Sequence, residues 1–257
     1  MSLPRRSTRP RPKSREELAP EMSPEALFAM LSAPDKASQR AAVERMVEAA
    51  KAGDPRYAEA LSHALSSPDF RVRWAGAYGL ALLGDAHGAG VLCEALSSPD
   101  ADLRWAAAAM LARLALRRET AKVEVLKLAR AVLEPVGCRM ALHSLRYMGA
   151  RGEEILSVVE DATRSPSKLV RLAALSLLGA LNDSSDRAAA LAIGLVNSDP
   201  DSGVRRAAAA ALGPIGNRSP AAIETLSRAA VHRSDPALAR AAQRSLRRLG
   251  YHGNASN

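Results

Sequence analysis

Residues 67–75 read Ser-Pro-Asp-Phe-Arg-Val-Arg-Trp-Ala, and residues 98–106 read Ser-Pro-Asp-Ala-Asp-Leu-Arg-Trp-Ala. The block returns as Ser-Pro-Ser-Lys-Leu-Val-Arg-Leu-Ala at 165–173 and as Asp-Pro-Asp-Ser-Gly-Val-Arg-Arg-Ala at 199–207. Each copy joins a turn signal to a helix start. Copies recurring about every 33 residues indicate stacked helical units rather than one closed core. Anchored on arginine, the copies fall at Arg40, Arg73, Arg104, Arg139, Arg171 and Arg205, separated by 33, 31, 35, 32 and 34 residues. A seventh copy runs from Asp235-Pro236 to Arg240, with its register slipped by one residue.

The sequence therefore predicts an all-α, right-handed solenoid of about seven helix-turn-helix units over residues 24–250, each unit a helix A followed by a helix B. Helix B carries the 3.6-residue period. Small or apolar residues fall at Val204, Ala207, Ala208, Ala211, Leu212 and Ile215, and at the same offsets from Val72 and from Leu103. Gly84 and Gly216 stand where a left-handed residue closes a helix. Pro68, Pro99, Pro166 and Pro200 are expected in the first turn of helix B, where a missing N–H costs least.

The pattern Asp/Ser-Pro-x-x-x-Val/Leu-Arg-x-Ala-Ala-x-x-Leu-Gly is clearest at 199–213, 165–179 and 67–84. It resembles the short bacterial form of the HEAT-like repeats first associated with phycobilisome lyases. Units one, four and seven depart from it; unit four has Glu134-Pro135-Val136-Gly137 at its turn. The resemblance implies a fold and not an activity, because such repeats serve in scaffolds, lyases, hydroxylases and DNA-repair proteins alike.

Charge is uneven along the chain. Of the net +9, residues 1–15 supply six basic side chains (Arg5, Arg6, Arg9, Arg11, Lys13 and Arg15) and no acid. Residues 1–23 are expected to form a disordered basic tail, either solubilising or in contact with nucleic acid or an acidic partner, and 251–257 a short flexible end. Over 70–83, 101–115, 136–148, 167–181, 202–213 and 237–249, the B segments hold fourteen Lys or Arg and a single acid, Asp102. Cys93 and Cys138 sit in different units without metal-type spacing, which suits small core residues in a reduced, cytoplasmic compartment. No apolar run approaches the roughly 20 residues that span a membrane, and no secretory signal is read.

On helix B the repeat arginine sits at the edge of the buried stripe, placed to bond neighbouring turns or carboxylates. The next position points away from the core and holds Trp74, Trp105, Met140, Leu172 and Arg206. The two tryptophans thus occupy equivalent places on consecutive units, where they either line one outward cleft or fill the inside of the bend. Tyr78 lies one turn after Trp74, and Arg71 is positioned to pair with Asp102 across units. Tryptophan and arginine dominate binding hot spots. The expected site is a concave surface for a protein or peptide, with Trp74 and Trp105 as anchors, Tyr78, Met140 and Leu172 beside them, and Arg206 and Arg71 as electrostatic contacts. Acidic segments suit the basic layer. Nucleic acid is the alternative partner.

No catalytic residue, metal or cofactor is assigned. The hydroxylases with related repeats hold iron with His-Glu pairs, whereas His63, His87, His143, His232 and His252 never precede Glu. The related DNA glycosylases present an acid and aromatics on a basic concave face, roles that Asp102, Trp105 and Trp74 could fill. However, Asp102 lies at a helix start, where an acid is favoured by the helix dipole alone.

Overall fold

A computed structural model describes residues 22–117, 119–131 and 135–251. Most of the expected basic tail, and residues 252–257, lie outside these. The described residues form fourteen helices and no strand. They pair as α1 (Pro24–Met30) with α2 (Lys36–Lys51), α3 (Pro55–Ala64) with α4 (Phe70–Leu83), and α5 (Ala89–Ala95) with α6 (Ala101–Ala115). The series continues with α7 (Glu119–Ala131) and α8 (Pro135–Tyr147), α9 (Glu153–Thr163) and α10 (Lys168–Ala180), α11 (Asp186–Ser198) and α12 (Ser202–Ile215), and α13 (Pro220–Ala230) and α14 (Pro236–Arg248). Odd-numbered helices are the A layer and even-numbered ones the B layer.

The turn residues explain where the B helices begin. Asp69, Asp100 and Asp201 are N-caps whose carboxylates accept backbone N–H groups of the first turn. Pro68, Pro99, Pro166 and Pro200 consequently fall one residue before the cap, not inside the first turn as the sequence suggested. The cap residues Asp69, Asp100, Ser167 and Asp201 are all extended, as capping geometry requires. Gly84 and Gly216 close their helices in the left-handed conformation, each with φ of 80°.

Asp35, Asp69, Asp100, Asp201 and Asp235 all hold their carboxyls below the usual carboxylate range. Backbone N–H donors are the leading cause at Asp35, Asp69 and Asp235, and the Lys36 and Lys168 ammonium groups at Asp100 and Asp201. A carboxylate with a lowered folded pKa contributes stability above its unfolded value near 4, and that contribution is lost as pH falls through the folded value. Thermal melts are therefore expected to show their main loss of stability below about pH 4. An unchanged midpoint at pH 3 contradicts this role of the caps.

Each B helix packs against its own A helix and against the next B helix, while A helices meet their neighbours more sparsely. The more closely packed layer lies on the inside of the bend, so the B layer is the inner one. Lys36 reaches Asp100 at 3.2 Å across an intervening unit, which places the starts of α2 and α6 close together along this inner edge. One core cluster runs without interruption from Ala77 to Leu249, and a second covers the first two units and meets it at α4.

The B helices bury a second stripe that the sequence pattern does not reveal. Ala77, Ala108, Leu142, Leu175 and Ala209 are all at 2% exposure or less and lie off the face that meets the A helix. Close approach is built in elsewhere too. A Cβ on Gly76 would stand 2.6 Å from the Leu61 carbonyl oxygen and 2.7 Å from the Ala64 Cβ.

Candidate binding surface

In the regular units the repeat arginine braces its own turn. Arg73 Nη1 donates to the carbonyls of Ser67 and Pro68, both at 3.0 Å. Arg104 makes the same pair of bonds to Ser98 and Pro99, Arg171 to Ser165 and Pro166, and Arg205 to Asp199 and Pro200. The opposite edge can reach the next unit. Arg73 Nη2 bonds Glu94 at 2.8 Å, and Arg171 grips Asp199 through Nε and Nη2 at 2.7 and 3.0 Å.

Counting from the caps places units one, four and seven differently from the arginine-anchored reading. The third residue after the cap is Val72, Leu103 and Val204 in regular units, and Ser38 and Leu238 in the first and last. Arg40 and Arg240 therefore occupy the outward slot, one residue beyond the bracing slot. Gln39 takes over the bracing in unit one, donating to the Leu31 carbonyl at 2.7 Å and the Arg71 carbonyl at 3.2 Å. The burial pattern of α8 shows the same slip. Met140 is 1% exposed and belongs to the core, which corrects its expected place on the surface, while Arg139 is half-buried in the outward slot. Unit four misled because Pro135 begins its helix. The outward column thus reads Arg40, Trp74, Trp105, Arg139, Leu172, Arg206 and Arg240.

The two tryptophans have different surroundings. Trp74 is half-buried against the core and stacks on Tyr78, with centroids 5.8 Å apart and planes at 28°. Trp105 is 47% exposed and packs against α8, meeting His143 at 5.9 Å and Tyr147 edge-on at 6.4 Å. The structure thus brings Trp74 to Tyr78 and Trp105 to α8, rather than the two indoles to one another. Tyr147, at 57% exposure, and His143 were missed by sequence reasoning. The spacing of Trp105-equivalent slots one and two turns further along α8 would have found them once its register was right.

Burial, followed by the charges of Arg139 and Arg146, lowers the His143 pKa. Neutral His143 therefore favours the fold above the ordinary histidine range near 6.5, and that contribution is lost as pH falls from there toward the lowered folded value. Burial, with Glu124 a lesser cause, pushes the Cys93 thiol up to about 12, so it is an inert core residue.

Leu172 is half-buried, and Arg206 folds back onto Ser202, donating from Nε to its carbonyl at 3.0 Å and from Nη2 to its hydroxyl at 3.1 Å. Arg71 pairs with the cap carboxylate of Asp69 at 3.2 Å, not with Asp102 as expected. Near the C-terminal end of the layer, a cavity of about 620 Å³ opens between the starts of α12 and α14. Among the described residues no cluster of three His, Cys, Asp or Glu could hold a metal ion, and no helix is long and apolar enough to cross a membrane.

The family model described as HEAT repeats matches residues 24–112, 59–146 and 155–247. The chain is a HEAT-repeat protein. No curated protein matches its sequence significantly. Among solved structures, this HEAT-repeat protein is similar to the archaeal HEAT-like repeats protein of Thermococcus onnurineus, at 13% identity and a TM-score of 0.57, covering 89% of this chain and 97% of that one. It is also similar to importin beta, at 15% identity and a TM-score of 0.60, over 88% of this chain and 35% of that one. The CpcE–CpcF complex of phycocyanin lyase from Nostoc shares 20% identity at a TM-score of 0.40, covering 95% of this chain and 99% of that chain. For the archaeal protein and importin beta, at these identities, the likeness is one of fold alone.

Proposed function

We propose that this HEAT-repeat protein is a non-catalytic scaffold that binds a protein or peptide along the inner face of its B layer. The observation that carries this reading is the exposed aromatic pair of Trp105 and Tyr147, contributed by consecutive units. Large apolar rings at a surface mark a site that something covers, and aromatic anchors near arginine are the usual composition of a binding hot spot. Arg139 and Arg206 follow in the same column, so a partner with acidic residues beside an apolar anchor suits it best.

Panning a random peptide library against the protein tests this. Selected peptides should bind the Trp105→Ala/Tyr147→Ala variant at least about tenfold more weakly, with the melting temperature little changed because both rings are exposed. Equal binding to variant and wild type overturns the aromatic site. The guanidinium column also favours a second reading, nucleic-acid binding. Phosphate contacts weaken steeply with salt, whereas an aromatic-anchored peptide does not.

A further inference from the structure

Between α10 and α12 two ion pairs close the inner edge of the solenoid. Lys168 Nζ stands 3.2 Å from Asp201 Oδ2, and the Asp199 carboxylate fills the Nε–Nη2 edge of Arg171. A shift of 34 residues, the spacing from Arg171 to Arg205, carries this arrangement onto the junction of α12 and α14. The guanidinium is held there in the same pose. Arg205 Nη1 donates to the Asp199 and Pro200 carbonyls at 2.8 and 3.1 Å, matching 2.8 and 3.1 Å for Arg171 on Ser165 and Pro166.

The partners have changed. Ser202 stands at the position equivalent to Lys168, and Arg233 at that of Asp199. Among the described residues no carboxylate forms an ion pair or hydrogen bond with Arg205, although the charges of Arg206 and Arg205 help to lower the pKa of the nearby Asp235. The 620 Å³ cavity lies at this point, lined by Arg205, Arg206, Arg240, His232, Ser202 and Asp235 among others. Asp235 is engaged as the α14 cap, accepting the Leu238 N–H at 2.9 Å. Three guanidiniums against one carboxylate leave the cavity cationic.

We propose that this cavity binds a carboxylate side chain of an acidic peptide, seated on the Nε–Nη2 edge of Arg205 as Asp199 is seated on Arg171. The planar fork of arginine matches a planar carboxylate with two parallel hydrogen bonds. Arg206 and Arg240 belong to the outward column, so a chain lying along that column brings its acidic side chains to the cavity. The site depends on Arg205 and its surroundings and not on Trp105, so either site can fail without the other.

The test refills the cavity with the preceding unit's own residues, through Ser202→Lys combined with Arg233→Asp. The probe is a fluorescein-labelled peptide of alternating Glu and Gly, read by anisotropy, with a Gln-for-Glu peptide and free succinate as comparisons. Arg247→Gln, on the exposed last turn of α14, lowers the net charge by the same one unit and serves as control. The wild type and Arg247→Gln should bind the Glu peptide, while the Gln peptide and the refilled variant should each bind at least about tenfold more weakly. The refilled variant should melt no lower than the wild type. Undiminished binding by the refilled variant, equal loss in Arg247→Gln, or equal binding of the Glu and Gln peptides overturns the proposal. Succinate binding as tightly as the peptide overturns its peptide part.

Discussion

Replacing Arg171 with alanine is expected to destabilise the solenoid by about 3–5 kcal/mol, the cost of leaving a buried charge without its partner. The Arg171 side chain is 11% exposed and that of Asp199 only 2%, so water cannot replace the lost guanidinium. The substitution also strips two donors from the Ser165 and Pro166 carbonyls. Removing both charges should cost less. In Arg171→Met/Asp199→Ser the methionine keeps much of the packing. Serine restores what other turns use at this place, where Ser67, Ser98 and Ser165 accept the N–H two residues on. Urea unfolding of the two single variants and the double variant should give a coupling of about 2 kcal/mol or more, within the range for residues sharing one network. Each repeat contacts mainly its neighbours, so Arg171→Ala should also broaden or split the unfolding transition at the junction of units five and six. Additive single-variant effects contradict this bracing role.

The same substitution at two glycines should have opposite signs. Gly76→Ala places its Cβ against the Leu61 carbonyl oxygen at 2.6 Å, where the obstacle is backbone and cannot rotate away. Helices α3 and α4 must then separate, at a cost of about 1–3 kcal/mol that exceeds the gain in helix propensity. Gly194, inside α11, has nothing within 4 Å of its would-be Cβ. Gly194→Ala should stabilise by about 1 kcal/mol through propensity alone. Melting temperatures of the two variants check the pair. A stabilised Gly76→Ala shows that the two helices have slack that the structure does not display.

These expectations mark how far the sequence could be read. The Pro-x-x-x-Val-Arg-x-Ala block announced the helical pairs, and Gly84 and Gly216 announced two of their ends, because these features are set by local turn chemistry. The second buried stripe stayed hidden because Ala77, Ala108 and Ala209 carry almost no hydrophobic signal of their own. They are buried by the closeness of the neighbouring helix, which only the stack reveals. Arginine was also an unreliable register mark. In Arg40, Arg139 and Arg240 it holds the outward slot one residue beyond the bracing one, and only the caps and burial separate the two uses. That slip misplaced Met140 and concealed Tyr147, and with it the ring that meets Trp105 at the surface. The cavity at Arg205 was illegible for a related reason. Its meaning lies in a carboxylate present one unit earlier and replaced by Arg233.

The central claim, that the inner face around Trp105 and Tyr147 holds a partner, is tested most directly by photo-crosslinking. A benzophenone-bearing peptide selected on the wild-type protein is irradiated in the complex, and the attachment points are mapped by mass spectrometry. Attachment to α6 and α8 around Trp105, His143 and Tyr147 is the predicted result. Attachment confined to the outer helices α5, α7 and α9 would contradict it.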